Sequence, residues 1–311
     1  MKVINLAKID FAGGGSPVPP TPPVPTPPDY LCFTAEEDSD LTLTMPAGLG
    51  TDLYEYVEFS TDGGDTWNRT SNVDDEEVVA SVSVLQGDSV LVRGLGTAMC
   101  KGDTEEYTMF AMTGRMAASG NIMSLLHPTN FASMDTVSDY AFYYLFYGCD
   151  LTTAPALPAV NLGKSCYEGI FSACALLTEG VSLPALVMAE SCYMSMYEDC
   201  VALETPSILS SVTLARRCYD NMYYGCKALT SAPILPATVL SEECYAYIFH
   251  DCENLESIMM LATDISATDC LTAWVDGVAA EGIFVKAAAM TNLPTGNSGI
   301  PAGWTVEDYE P

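Results

Sequence analysis

Residues 218–236 read CYDNMYYGCKALTSAPILP, and variants of this stretch recur through the second half of the chain. The other aligned nine-residue segments are AFYYLFYGC at 141–149, CYEGIFSAC at 166–174, CYMSMYEDC at 192–200, CYAYIFHDC at 244–252 and a degenerate CLTAWVDGV at 270–278. The copies therefore recur with a period of about 26 residues, which is typical of proteins built from stacked repeats.

Each copy has two parts. In the first, apolar residues fall at relative positions 0, 1, 4, 5 and 8, counted from the first residue of the segment, and this spacing predicts a helix that buries one face. The second part is apolar and contains prolines, as in LTSAPILPATVL at 229–240, which favours a short strand or extended turn. A unit this small cannot bury its apolar face alone, so its stability must come from stacking.

The paired cysteines of these copies are the first candidates for chemistry. They are Cys149, Cys166, Cys174, Cys192, Cys200, Cys218, Cys226, Cys244, Cys252 and Cys270. Two cysteines eight residues apart on a helix lie about 12 Å apart, too far for a disulfide. Equivalent cysteines on adjacent helices would lie about 8–10 Å apart. We therefore predict structural core thiols; disulfides, and metal binding or catalysis, are the alternatives.

Other ligand chemistry finds little support in the sequence. Zinc prefers four convergent ligands at C-x2-4-C spacing, which the repeats do not supply. His250 falls at relative position 6, on the outward face of the predicted helix. The sequence predicts no cofactor and no metal site.

The repeat unit L-x-x-A-P-x-L-P-A-x-x-L-x-x-x-C-Y-x-x-M/I-F/Y-x-x-C-x-x-L resembles the BspA-like (Treponema pallidum-type) leucine-rich repeat. The resemblance covers about residues 140–278, with GNIMSLL at 120–126 as a lead-in and a closing cap from Cys270 onward. It implies strand/turn-plus-helix coils. It also implies adhesion to protein or glycan without catalytic residues, as in surface adhesins of anaerobic bacteria and virion or prophage proteins of phages that infect gut bacteria.

Residues 30–116 have a different pattern. Short stretches of alternating polar and apolar residues, among them LTLTM, YEYVEFS and VVASVSVL, predict an Ig-like antiparallel β-sandwich. STDGGDTW at 60–67 resembles the Asp box of sialidases and related propellers, where it is a structural hairpin turn. The acidic clusters at 36–40 and 74–77 are predicted to be solvated faces, with calcium binding left open.

The predicted fold class is therefore α+β, with a small antiparallel β-sandwich followed by a leucine-rich-repeat solenoid of strand/turn-plus-helix coils. The predicted divisions are an anchor peptide at 1–12, a proline-rich linker at 13–29, the sandwich at 30–116, the repeat solenoid at 117–278 and a C-terminal cap at 279–311.

The amino-terminal segment, up to Pro28, predicts an attachment device. Residues 13–28, GGGSPVPPTPPVPTPP, favour an extended polyproline spacer of roughly 40–50 Å. Residues 1–12 alternate polar and apolar side chains like a strand that adds to a sheet edge. The predicted anchor residues are Val3, Ile4, Leu6, Ile9 and Phe11. A disordered tail is the alternative. The segment lacks a secretory signal, so we expect synthesis in a reducing cytoplasm, which weakens the disulfide alternative.

The composition excludes several functions. The formal net charge of −30, from 41 acidic and 11 basic residues, argues against nucleic-acid binding and opposes docking to an anionic membrane. Runs of apolar residues are too short for a membrane span. No Ser-His-Asp, HExxH or P-loop signature is present and the chain has two histidines, so an enzyme is not expected. A glycoside-processing enzyme is a remote alternative.

The expected function is that of a non-enzymatic virion structural protein, such as a head or tail fibre or a capsid decoration. Residues 1–12 would attach it to a capsid or tail protein, and the repeats would adhere to a host surface protein or glycan. A bacterial cell-surface adhesin is the alternative, and the oligomeric state, including a homo-oligomer, stays open. The predicted partner-binding residues are Tyr143, Tyr144, Tyr147, Tyr224 and Tyr247, at outward positions of the copies. Packing of these tyrosines against neighbouring coils or the β-domain is the alternative.

Overall fold

The computed structural model describes residues 2–5, 29–49, 53–71, 77–102 and 107–309. The strands are β1 (Lys2–Asn5), β2 (Leu31–Ala35), β3 (Ser39–Met45), β4 (Tyr54–Ser60), β5 (Asn68–Ser71), β6 (Val78–Val84), β7 (Ser89–Gly96), β8 (Met109–Met112), β9 (Met116–Ser119), β10 (Leu151–Thr153), β11 (Ser257–Met260), β12 (Ile283–Ala287) and β13 (Thr305–Tyr309). Two short 3-10 helices span Ile122–Leu125 and Phe131–Ser133.

Two sheets pack face to face in the first half of the chain. The order of the four-stranded sheet is β1-β6-β3-β8, and that of the six-stranded sheet is β10-β9-β2-β7-β4-β5. Burial alternates along β2, β3 and β6, as expected for strands with one face toward a core. The ring of Phe33 on β2 lies 5.1 Å from that of Phe110 on β8, so the two inner faces meet.

The Asp-box stretch is a hairpin turn between β4 and β5, which pair antiparallel. The Asp62 carboxylate accepts hydrogen bonds from the Thr66 amide at 2.9 Å, from the Thr66 hydroxyl at 2.5 Å and from the Ser60 hydroxyl at 2.7 Å. Hydrogen bonds from Thr66 and Ser60 lower the pKa of Asp62 to about 2. The motif is therefore a turn clasp, and its carboxylate is engaged within the turn.

The predicted fold class is wrong in the repeat region. The described residues contain no α-helix, so the helix-plus-strand solenoid does not form. Each nine-residue segment, called a turn segment below, is a run of consecutive four-residue turns. Residues at relative positions −1, 3 and 7 adopt a left-handed conformation in every copy, for example Ser191 at φ 53°, Ser195 at φ 53° and Asp199 at φ 58°.

Backbone hydrogen bonds explain this conformation. Amides at even positions bond within the turn, as Glu168 N–H does to the Ser165 carbonyl at 3.3 Å. Amides at odd positions donate to the next copy, as Tyr167 N–H does to the Cys192 carbonyl at 3.1 Å. A left-handed non-glycine residue costs about 1–2 kcal/mol. The inter-copy bonds and the packing between copies offset that cost.

The helix prediction failed because two periods are nearly indistinguishable over nine residues. Apolar residues at positions 0, 1, 4, 5 and 8 lie on one side of an α-helix of 3.6 residues per turn. They also lie on one side of a ribbon that repeats every four residues. In the structure these positions point inward, for instance Cys218, Tyr219, Met222, Tyr223 and Cys226, which are all buried.

Aromatic rings stack in two ladders through the copies. At position 1, Phe142, Tyr167, Tyr193, Tyr219 and Tyr245 follow one another with ring centroids 5.7–6.0 Å apart. At position 5, Phe146, Phe171, Tyr197, Tyr223 and Phe249 do the same at 5.5–5.9 Å. The copies are therefore much closer than packed helices, whose axes lie roughly 8–10 Å apart. The distance of about 8–10 Å that we assumed between equivalent cysteines of adjacent copies is therefore wrong, and it no longer argues against disulfides between copies.

The position-5 ladder also fixes the proline-bearing stretch that precedes each turn segment. The Tyr197 hydroxyl accepts from Val181 N–H at 2.9 Å, and the Tyr223 hydroxyl accepts from Ser207 N–H at 3.1 Å. In the second and fifth copies the corresponding residue is Pro155 or Pro233, which has no N–H, and position 5 is phenylalanine. Tyrosine thus occurs where a buried amide needs an acceptor.

Both ends of the stack are covered. Phe110 of the sandwich stacks on Phe146 at 5.5 Å and donates its N–H to the Leu145 carbonyl. At the other end, Trp274 Nε1 donates to the Gly299 carbonyl at 2.8 Å, and a three-stranded parallel sheet of β11, β12 and β13 follows. One continuous hydrophobic cluster joins the sandwich, the turn segments and this cap.

Candidate binding surfaces

A tyrosine cluster lies on the outward side of the first turn segment. Tyr143, Tyr144 and Tyr147, all predicted as partner-binding, come together with Tyr107 and Tyr140, which the prediction missed. Ring centroids in the cluster are 4.7–5.9 Å apart. Tyr147 is 42% exposed, so the cluster offers one open ring edge while the rings largely pack on each other.

Gly169 allows the Tyr144 ring to lie against the next copy. A Cβ atom on Gly169 would come within 2.4 Å of the Tyr144 ring, and Gly169 has a φ of 60°. Burial raises the pKa of the Tyr144 hydroxyl, which hydrogen-bonds Ser195. Tyr144 is therefore fixed by these contacts, and only part of its ring is available to a partner.

The remaining two predicted tyrosines lie at the other end of the stack. Tyr224 stacks on His250 at 4.8 Å, and Tyr247 lies 5.9 Å from the same imidazole. His250 sits between two aspartates, with Nδ1 3.4 Å from Asp251 Oδ2 and Nε2 3.7 Å from Asp276 Oδ2. The structure thus divides the five predicted tyrosines into two separate groups.

Acidic residues occupy the middle of this outward side. Burial raises the pKa of Glu198, and burial also raises that of Asp220, although the Arg217 guanidinium at 2.7 Å opposes the shift. Carboxylates with raised pKa values are destabilising when ionised. The buried Asp220 and the half-buried Glu198 thus lie between the two aromatic groups.

Replacing Glu198 with glutamine should stabilise the protein at neutral pH. Because the folded-state pKa of Glu198 is raised, the free energy of unfolding falls as pH rises from about 4, the pKa of an unfolded glutamate, through the folded pKa. Urea unfolding at pH 7 and at pH 4 measures this. The free energy of unfolding of the variant should exceed that of the wild type at pH 7, and the difference should be smaller at pH 4. If the variant is less stable than the wild type at pH 7, the pKa of Glu198 is not raised in the folded protein.

The proline-bearing stretches, called legs, form a different face. The first to fifth legs span 151–163, 178–189, 204–215, 230–241 and 256–268. Residues 151–163, 180–189, 205–215 and 231–241 contain no charged side chain. The exposed aliphatic residues of this face, called the aliphatic rows, are Val160, Leu186, Val187, Ile208, Val212, Ile234 and Val239. Members of a row recur at the repeat period, as Ile208 and Ile234 do.

Neighbouring legs pair in some places and separate in others. The second and third legs form bridges at Glu179–Thr205, Leu183–Leu209 and Val187–Thr213. The fourth and fifth legs pair likewise. Within these fully described stretches no backbone hydrogen bond forms between the third and fourth legs, and none forms between the first and second. A cleft of about 670 Å³ opens there, lined by residues 152–158, 178–182 and Pro184.

The predicted anchor residues are only partly described. Val3 and Ile4 lie on β1, which runs parallel to β6 with Val3 opposite Val79 and Ile4 opposite Ala80. Leu6, Ile9 and Phe11 lie outside the described residues, as do 13–28 of the predicted linker. Residues 2–5 therefore add to an edge of their own chain's sheet.

The ten repeat cysteines are buried free thiols. At position 8 each thiol donates to the backbone carbonyl of the residue at position 5 in the preceding copy. Cys174, Cys200 and Cys226 do so at 3.1 Å and Cys252 at 3.0 Å. Cys149 bonds the Phe110 carbonyl of the sandwich at 3.2 Å. Burial raises the pKa of Cys149, Cys200 and Cys252 to about 12. Buried thiols of this kind are poor nucleophiles.

Thiol labelling should therefore be slow in the native protein. With a neutral maleimide at pH 7.5 we expect the repeat cysteines to react at least 100-fold more slowly than in denaturant, because attack needs an exposed thiolate. Mass spectrometry counts the labels. About twelve labels should appear under denaturing, non-reducing conditions; a count of two or fewer would show that disulfides replace the thiols.

The acidic cluster at 36–40 has structural partners. The Asp38 carboxylate accepts from Gln86 N–H at 2.9 Å, and Glu37 pairs with Arg115 at 3.4 Å. Most of the cluster at 74–77 lies outside the described residues. Within the part of the chain that is described, no group of three or more His, Cys, Asp or Glu side chains is placed to hold a metal ion.

A search of the described residues for a helix with the length and hydropathy of a membrane span found none. Comparison of the whole chain with protein-family models, with curated proteins and with solved structures found no match.

Proposed function

We propose that this chain is a non-enzymatic adhesion protein of a virion and that it binds a host surface protein through its legs. The aliphatic rows carry the proposal. They contain seven of the fourteen exposed large hydrophobic side chains of the described residues, on legs whose stretches 151–163, 180–189, 205–215 and 231–241 carry no charge in a chain of net charge −30. Exposed apolar patches of this kind mark sites of protein interaction.

A protein partner suits this face better than a glycan. Aliphatic side chains gain about 25 cal/mol for each Å² removed from water, and they lack the ring faces on which sugars stack. Glycan binding is the second candidate, favoured by Tyr147 and Tyr247, which are 42% and 36% exposed. That site would lie on the outward side of the turn segments.

The free thiols support a virion setting. Ten buried cysteines without disulfides suit folding in a reducing compartment, such as the host cytoplasm in which virion proteins are made. An exported cell-surface adhesin, the alternative, folds where thiols are oxidised. We further propose that residues 1–12 attach the chain to a capsid or tail protein by strand addition, in which Lys2–Asn5 exchanges its pairing with β6 for pairing with a sheet edge of that protein.

Charge substitutions in the aliphatic rows test the proposal. Ile208→Asp combined with Ile234→Asp should weaken binding of the purified chain to host cells at least tenfold, because both carboxylates must lose water in the complex. Ile208 is 76% exposed and Ile234 54%, so folding should change little. The matched control is Leu85→Asp, at a 55% exposed leucine in the sandwich.

Two results would reject binding through the legs. One is unchanged cell binding by the double variant. The other is loss of binding in Tyr147→Ala or Tyr247→Ala with normal binding by the double variant, which would establish the glycan candidate in its place. Cell binding by fluorescence and folding by circular dichroism are measured on the same preparations.

A further inference from the structure

We propose that the cleft between the first and second legs binds an extended peptide segment with a basic side chain placed against Glu179. This inference rests on the proposed function, because the cleft belongs to the same face as the aliphatic rows. It adds a specific location and a ligand chemistry to that face.

The first support is a gap in the pairing of the legs. On one side, the first leg bonds residues outside the repeats, with Ala156 N–H to the Gly120 carbonyl at 2.8 Å. On the far side of the second leg, Gly180 N–H donates to the Thr205 carbonyl at 2.8 Å. Between these two legs no such bond exists, although both are fully described, and the third and fourth legs are unpaired in the same way. Their facing edges resemble the open edges to which extended peptides add.

The second support is the shape of the gap. The turn segments of these two copies remain stacked, with Tyr167 and Tyr193 at 5.9 Å and Phe171 and Tyr197 at 5.8 Å. The copies are thus joined on the turn side and separated on the leg side, which leaves a wedge. Its volume of about 670 Å³ lies within the range of about 300–1,000 Å³ typical of ligand sites.

Pro158 and Pro184 occupy equivalent positions on the two facing legs, and neither has an N–H to donate across the wedge. Proline does not by itself decide which legs pair, because the third and fourth legs are also unpaired although Ser210 stands opposite Pro236.

The lining of the wedge defines its ligand. Small residues, among them Ala154, Ala156 and Ser182, leave room for the side chains of a guest. Glu179 is the one carboxylate in the lining, and it is exposed. A basic side chain on an otherwise apolar peptide complements this arrangement. A second copy of this chain is a poorer occupant, because two chains of net charge −30 repel.

The test uses a displayed library of random dodecapeptides selected on the full chain. Selected peptides should contain Lys or Arg among aliphatic residues. Their affinity should fall at least tenfold on Ser182→Trp, which fills the wedge at an exposed position. Ile234→Trp is the matched control, since Ile234 occupies the same row outside the wedge. Glu179→Gln should weaken binding several-fold, and Glu256→Gln on the fifth leg should not.

Hydrogen exchange locates the bound peptide. Amides of 152–158 and 178–184 should exchange more slowly with a selected peptide than without it. Equal binding of the peptides to wild type and Ser182→Trp, or the selection of no peptide, overturns the inference. So does sedimentation showing self-association that Ser182→Trp abolishes. The two proposals can fail separately. If no peptide is selected and Ser182→Trp binds host cells normally, the peptide site is wrong. If the double variant at Ile208 and Ile234 still loses host binding in that case, the proposed function stands.

Discussion

Replacement of Tyr223 with alanine should lower the free energy of unfolding by about 5 kcal/mol or more. Tyr223 is fully buried, and its ring stacks on Tyr197 at 5.5 Å and on Phe249 at 5.9 Å. Truncating a buried aromatic residue costs about 3–5 kcal/mol, and each lost ring pair adds about 0.5–1.5 kcal/mol. The buried Ser207 N–H would also lose its acceptor, which costs a further 1–3 kcal/mol.

A second substitution separates the ring from the hydroxyl. Tyr223→Phe keeps both stacking contacts and removes only the acceptor of Ser207 N–H, so it should cost about 1–3 kcal/mol. Tyr147→Ala, at a 42% exposed tyrosine, is the matched control and should cost less than about 1 kcal/mol. Urea unfolding followed by circular dichroism gives all three values. Equal values for Tyr223→Ala and Tyr147→Ala would mean that the position-5 ladder does not stabilise the stack.

Much of the sandwich follows from the sequence. Strands form where polar and apolar residues alternate in the sequence, as in SDLTLTM at Ser39–Met45 and VVASVSV at Val78–Val84. Period-2 alternation has one common structural meaning, a strand with one buried face. The parallel strand Leu151–Thr153, which extends the six-stranded sheet into the repeats, has no such pattern, because pairing with Met116 and Ala117 determines it.

The repeats show where a sequence pattern has two meanings. The inward positions were identified correctly while the helix was wrong, because a four-residue turn buries the same residues. A distinguishing signal was present at position 7, where Gly148, Asp199, Gly225, Asp251 and Gly277 favour the left-handed conformation. Glycine and aspartate recurring at this position are unfavourable inside a helix and suit turns.

The candidate surfaces were predicted less well than the core. Exposed tyrosines are visible in the sequence, but their division into two groups depends on stacking, as between Tyr224 and His250. The aliphatic rows were missed, because Ile208 and Ile234 look like core residues in an apolar stretch. The absence of charge from residues 151–163, 180–189, 205–215 and 231–241 of an acidic chain was the sequence signal that could have indicated this exposed apolar face.

Replacement of Gly120 with alanine should destabilise the junction between the sandwich and the repeats by about 2–5 kcal/mol. Gly120 has a φ of 77°, and an added Cβ would lie 1.9 Å from the backbone oxygen of Tyr30. The left-handed conformation costs alanine about 1–2 kcal/mol, and the clash with rigid backbone adds about 1–3 kcal/mol. The Gly120 carbonyl also accepts from Ala156 N–H on the first leg at 2.8 Å, so strain here acts on both regions.

Gly48→Ala is the control for this junction. Gly48 has a φ of 73°, close to that of Gly120, but no atom lies within 4 Å of its added Cβ. It should therefore show only the conformational cost of about 1–2 kcal/mol. Urea unfolding compares the two variants, and hydrogen exchange at Ala156 shows whether the first leg separates from the sandwich. If Gly120→Ala were no less stable than Gly48→Ala, the close approach of Tyr30 would not constrain the junction, and the sandwich would not support the stack through this contact.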